Sequence, residues 1–197
     1  MVMIMHGNKK IILGVAINDA DYVVCGIFKG KRVTCPFYST WKSMLNRCYG
    51  IKYISRKPSY KDCQVCREWL LFSNFKAWME KQDWQGKELD KDLITKGNRI
   101  YSEKNCAFIS KCLNNFIVEG GIKRGNFLLG VTWHRRNGSF QAQCRNPITK
   151  KCDYLGQHKT QESAHLAWKR RKHELALQLA EMQADPRVAN ALRTRYL

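Results

Sequence analysis

Between positions 89 and 115 the chain reads LDKDLITKGNRIYSEKNCAFISKCLNN. This places the aspartates Asp90 and Asp92 and four carboxamides, Asn98, Asn105, Asn114 and Asn115, within 27 residues. A carboxylate at a strand end can hold a hard divalent cation, and an amide in the next loop can orient a base beside it. An amide on a following helix can complete the metal's shell. An Mg²⁺ or Mn²⁺ ion held in this way stabilises the charge that develops on a phosphate during cleavage. The competing reading of the same residues is a polar surface hairpin followed by a helix.

The segments upstream have to position that stretch. Residues 1–36 read as short strands, with Ile11, Ile12, Leu13, Val15 and Ile17 in one run and Val23, Val24, Ile27 and Phe28 in another. Lys9, Lys10, Lys29, Lys31 and Arg32 are available there for phosphates. Ser39 is expected to cap a helix to Tyr49, because Trp41, Met44, Leu45 and Cys48 fall at i, i+3, i+4 and i+7. Residues 51–60 are expected to form a basic, aromatic loop suited to following a DNA backbone. Trp69, Phe72, Phe75 and Trp78 predict one amphipathic helix with a core-facing stripe, and Ser102 is expected to open a further helix with Glu103 and Asn105 near its start.

Three blocks resemble phage-encoded HNH homing endonucleases, in order along the chain. The first is Trp41, Met44, Arg47, Cys48 and Tyr49. The second is Val65, Cys66, Glu68, Trp69, Phe72, Phe75, Trp78 and Met79. The third is LDKD, then GNRIYSEKNCAFI, then LNN. The resemblance implies a small ββα-metal domain that cuts DNA phosphodiesters. Its candidate catalytic residues are Asp90, Lys91, Asp92, Asn105, Asn114 and Asn115, with Asp90 and Asn114 (or Asn115) holding the divalent ion and Asn98 or Asn105 orienting the reacting groups. One departure stands out: no histidine lies between His6 and His134, and Lys91 occupies the slot of the family's usual base. An ordinary lysine, with a pKa of about 10.4, is a poor base near neutral pH. Either Asp92, Lys91 or a metal-bound hydroxide does that work, or the chemistry is gone. Cys63 and Cys66 form a CxxC, and with Cys48 and Cys106 they are candidates for a structural Zn²⁺. Buried thiols under a small core would explain them equally well.

The stretch IVEGGIKRGNF, residues 117–127, reads as a linker. Beyond it, in FQAQCR, side chains alternate so that Phe140, Ala142 and Cys144 face a core while Gln141, Gln143 and Arg145 face out. Gln and Arg can make bidentate contacts to adenine and guanine, and Arg135, Arg136, Lys150 and Lys151 at the turns can grip phosphates. Gly130, Val131, Phe140, Ala142, Arg145, Tyr154, Leu155, Gly156, Thr160, Glu162, Ala164 and Trp168 make residues 128–181 similar to the ethylene-response-factor (Apetala-two) DNA-binding domain. That implies a three-stranded antiparallel sheet packed on one helix, and double-stranded DNA as partner. Thr132 and Gln143 depart from that family's contact pattern. Thr160 is expected to cap the helix, and the KRRK run at 169–172 to meet phosphate or solvent.

Composition bounds the rest. There are 35 Lys and Arg against 16 Asp and Glu, for a net charge of +19; from Lys123 onward 15 basic residues face 5 acidic ones. Such a field attracts polyanions. The nine cysteines argue for reduced thiols or metal ligation rather than a secreted disulfide framework. No apolar run near the start is long enough to span a membrane, so a soluble, cytoplasmic protein is expected. The sequence therefore predicts an α+β chain: a β-rich segment 1–38, an HNH-like domain 39–116, a linker 117–127 and a DNA-binding domain 128–197. The alternatives are a catalytically inactive DNA-binding derivative (a repressor, competitor or anti-defence protein) and, on charge alone, an RNA-binding protein.

Overall fold

A computed structural model describes residues 9–118 and 127–197. The chain is mixed α and β, with several small sheets, and divides after Phe108 into two compact units. Most of the stretch read as a linker lies outside the described residues.

The first unit opens with two hairpins, β1 (Lys10–Ile12) with β2 (Ala16–Asn18), and β3 (Cys25–Phe28) with β4 (Lys31–Thr34). Helices α1 (Pro36–Tyr49) and α2 (Ile51–Arg56) follow. Then come β5 (Gln64–Val65), a 3₁₀ turn at Arg67–Leu70, and α3 (Phe72–Glu80). The chain continues through β6 (Lys87–Asp90), β7 (Ile100–Tyr101) and β8 (Ala107–Ser110), inside which the division falls. β5 pairs with β7 in parallel, and β6 pairs with β8.

The core of this unit is the expected aromatic face: Trp41, Met44 and Leu45 of α1 against Trp69, Phe72, Phe75 and Trp78, all buried. Local boundaries differ from expectation for identifiable reasons. α1 starts at Pro36, three residues before Ser39, because proline's fixed φ suits the first helical position and its missing N–H is not needed there. The expected helix through Trp69 is broken at Leu71, whose extended backbone bridges in parallel to Ile17. Trp69 is held separately, its carbonyl accepting from Trp41 Nε1 at 2.7 Å. Ser102 opens a turn rather than a helix. The helix begins after Ser110, whose hydroxyl accepts from Leu113 N at 3.1 Å.

The second unit holds α4 (Lys111–Ile117), β9 (Val131–His134), β10 (Ser139–Arg145), β11 (Cys152–His158), α5 (Gln161–Glu181) and α6 (Pro186–Thr194). The three strands form an antiparallel sheet with β10 in the centre. Val131 and Ala142 pack on Ala164 of α5, and Thr160 caps that helix by accepting from Ser163 N. Gly130 sits at φ +76°, and a Cβ there would come within 2.0 Å of the Trp168 ring, so its backbone lies directly on α5.

Candidate functional site

The loop after β6 draws the polar residues of the first unit together. Asp90 Oδ1 accepts from the backbone N–H groups of Asp92 (3.0 Å) and Leu93 (2.7 Å), so the strand ends in a tight carboxylate-capped turn. Lys91 is buried, and its Nζ donates to Asp92 Oδ2 at 3.0 Å and to the Asn98 carbonyl at 2.9 Å. Asn98 closes the loop from the other side. Its Nδ2 donates to the carbonyls of Lys91 (2.6 Å) and Ile100 (2.8 Å), while its Oδ1 accepts from Ile100 N and from Asn105 Nδ2 at 3.1 Å. Asp90, Lys91, Asp92, Asn98 and Asn105 therefore form one hydrogen-bonded network.

Burial raises the Asp90 carboxyl above its ordinary value, and the neighbouring charge of Asp92 adds to that rise. Arg47 is a member that the sequence reading passed over. From α1 its Nη1 donates to Leu89 O at 3.3 Å and to Tyr101 Oη at 3.4 Å, fixing the residue before Asp90. Its only sequence signal was a place in the RCY match.

Asn114 and Asn115 lie on α4, in the second unit. Asn115 is exposed and lines a pocket of about 200 Å³ with Arg145 and Lys150. Cys48, Cys63 and Cys106 are core side chains. Cys48 neighbours Cys63, and Cys106 neighbours Cys66, but no three His, Cys, Asp or Glu residues are grouped to hold a metal among the described residues. Burial pushes the Cys48 and Cys106 thiols up to about 12, which favours neutral core thiols.

In the second unit the outward face of the sheet carries Gln143 and Arg145, both exposed, while Ala142 and Cys144 are buried. Gln141 is half-buried between Thr132 on β9 and Gln157 on β11. Tyr154, paired with Gln143, extends the outward face and was not singled out from the sequence as a contact residue. Arg135 and Arg136 lie in the 3₁₀ turn between β9 and β10.

The β10–β11 turn, which presents Lys150 and Lys151, is pinned by Asn146. Its Oδ1 accepts from Ile148 N and Thr149 N, and its Nδ2 donates to Asp153 Oδ2. Asp153 in turn bridges to Arg171 of α5 at 2.8 Å.

The KRRK run does not behave as a solvated patch. Arg171 is held by Asp153 and Glu174, and Lys169 donates to the Leu197 carbonyl. Lys172 is buried, donating to Phe116 O at 2.6 Å with its Nζ 3.7 Å from the Phe116 ring centre. Only Arg170 of the four is fully exposed.

All nine cysteines are free thiols. Among the described residues no helix is long and apolar enough to cross a membrane. Compared with family models, curated proteins and solved structures, the chain matches none.

Proposed function

We propose that the chain binds double-stranded DNA through the outward face of the β9–β11 sheet, and that the Asp90 loop is a metal-dependent phosphodiesterase centre of the ββα HNH kind, as in phage homing endonucleases. The observation that carries the reading is the pairing of Gln143 and Arg145 on the exposed face of the central strand with Lys150 and Lys151 on its pinned turn. Base-reading side chains beside phosphate-gripping ones are what groove recognition requires. The net charge of +19 supplies the attraction.

Asp90 offers a carboxylate oxygen of the type that a hard cation takes. Oδ1 is used by the turn, and Oδ2 has no hydrogen-bond partner among the described residues. Burial, and after it the neighbouring carboxylate of Asp92, raises Asp90, and a bound cation would favour its charged form. An Mg²⁺ or Mn²⁺ ion bound there would supply charge stabilisation at the phosphate. The chain's own part is to hold that carboxylate still. Asn98 fixes the Lys91 peptide, Asn105 fixes Asn98, and Arg47 fixes Leu89.

A second reading, DNA binding without cutting, is favoured by Lys91. Its buried amine is tied up inside the loop, donating to a carboxylate and a carbonyl at once, and is not turned towards a reacting group.

The test is cleavage of genomic and synthetic duplex DNA by the full chain with Mg²⁺, Mn²⁺ or EDTA, beside Asp90→Asn. That variant keeps the Oδ1 acceptor of the turn and removes the charge. Discrete ends that need metal and fall by roughly two orders of magnitude in Asp90→Asn are expected of a nuclease. DNA that stays intact but bound would select the second reading, and DNA neither cut nor bound would sink both.

A further inference from the structure

We infer that the first unit carries a second, separate nucleic-acid site: a groove between the two N-terminal hairpins and helices α1 and α2 that holds the phosphodiester backbone of one strand. This rests on the proposed nucleic-acid binding, but not on the sheet face.

The groove has a volume of about 990 Å³. Its floor is the outer side of α1. Ser39, Lys42, Ser43 and Asn46 fall at i, i+3, i+4 and i+7, opposite the buried stripe of Trp41, Met44, Leu45 and Cys48. A stripe of that length runs about 10 Å, room for roughly three nucleotides of a strand. Lys52 and Arg56, one turn apart on α2, form one wall, and Lys10 and Arg32 of the hairpins form the other.

These five cations are exposed, and no Asp or Glu lines the groove with them. Among the described residues none of the five is in an ion pair. Arg56 and Arg32 instead donate to the Lys52 carbonyl at 3.0 Å and to Cys25 Sγ at 3.2 Å. Uncompensated cations converging on a floor of hydroxyls and an amide suit phosphate oxygens rather than a lipid or an apolar peptide. The groove's tyrosines are engaged within the protein. Tyr38 is buried, Tyr49 Oη accepts from Val65 N, and Tyr53 packs on Tyr60. Backbone contact without base readout follows.

The groove also leads towards the Asp90 loop. Ser39 and Ser43 line a second pocket, of about 250 Å³, whose other wall is Lys87, Glu88 and Leu89 of β6, ending one residue before Asp90. A strand lying in the groove thus has a path along α1 to the candidate centre.

The test uses the full chain and fluorescent duplex DNA, single-stranded DNA and RNA of equal length, with affinity followed by anisotropy across a salt series. The triple variant Lys42→Gln, Lys52→Gln, Arg56→Gln is expected to bind at least tenfold more weakly, with the log–log salt slope smaller by about 2 to 3. Its melting temperature should not fall, since all three side chains are exposed. The charge-preserving triple Lys42→Arg, Lys52→Arg, Arg56→Lys should restore binding. Unchanged affinity and slope in the Gln triple, with loss in Gln143→Ala/Arg145→Gln, would overturn the groove and leave the sheet reading standing. Loss in the Gln triple alone would keep the groove and remove the sheet. RNA bound more tightly than duplex, with the same dependence on the groove, would keep the phosphodiester site and make RNA its occupant. Failure of the parent chain to bind any of the three would end both proposals.

Discussion

Lys91 and Asp90 are neighbours with opposite relations to their surroundings. The lysine amine is buried yet engaged with two acceptors, whereas the Asp90 carboxylate is held in a turn next to a second carboxylate, and burial works against its charge. A carboxyl raised in the folded state keeps its proton to higher pH than in the unfolded chain. The associated stability is present below the ordinary carboxylate value and lost as pH rises through the raised one. Removing the charge should therefore help folding at neutral pH. Asp90→Asn is expected to be more stable than the parent by on the order of 1 kcal/mol near pH 7, with the gap closing in acid, where Asp90 is protonated anyway. Urea unfolding at a series of pH values measures this. A variant less stable than the parent at pH 7 would show that the charge on Asp90 supports the fold. The residue types of this loop were legible in the sequence, as two aspartates and several amides at short spacing. Their partners were not, because Asn98 meets Lys91 only after the loop has closed on itself, and Arg47 arrives from 42 residues upstream.

At the scale of elements, apolar periodicity carried well and ends carried badly. The buried stripe of α1 and the in-out alternation of β10 follow from side-chain spacing alone. The break at Leu71 depends on a backbone bridge to Ile17, which no local window contains. The KRRK run misled for a similar reason, since charge in a sequence says nothing of what the side chain meets. Lys172 meets α4: its ammonium lies against Phe116, with Trp168 and Tyr196 around it, and its Nζ donates to the Phe116 carbonyl. Arg195 reaches the next carbonyl, of Ile117, at 3.1 Å. The C-terminal residues and α5 thereby hold the end of α4. Lys172→Met keeps most of the volume but loses a charge-assisted hydrogen bond and a cation–π contact, while sparing the cost of burying a charge; a net loss of about 1–3 kcal/mol is expected. Hydrogen exchange should show it first in the amides of residues 111–117. Exchange unchanged there would mean that Lys172 does not hold α4.

For the whole molecule the decisive quantity is the surplus of 19 positive charges, spread over both units. Among the described residues the ion pairs are few, and several are short-range pairs within one helix or loop, such as Lys76 with Glu80 and Arg187 with Asp185. They leave the general repulsion in place. A chain of this kind is destabilised by its own field, and salt screens that field over a Debye length of about 10 Å at 0.1 M. Its melting temperature should therefore rise by a few degrees as KCl is raised from about 20 to 200 mM. A bound polyanion reverses the dependence. Saturating duplex DNA neutralises the same charges and stabilises the folded state by mass action, and that stabilisation weakens as salt competes for the phosphates. Melting curves with and without DNA should then converge with increasing salt, one rising and the other falling. Parallel curves would mean that the positive surplus is not what meets the nucleic acid. A falling curve without DNA would mean that attractive pairs, not repulsion, dominate the field of the folded chain.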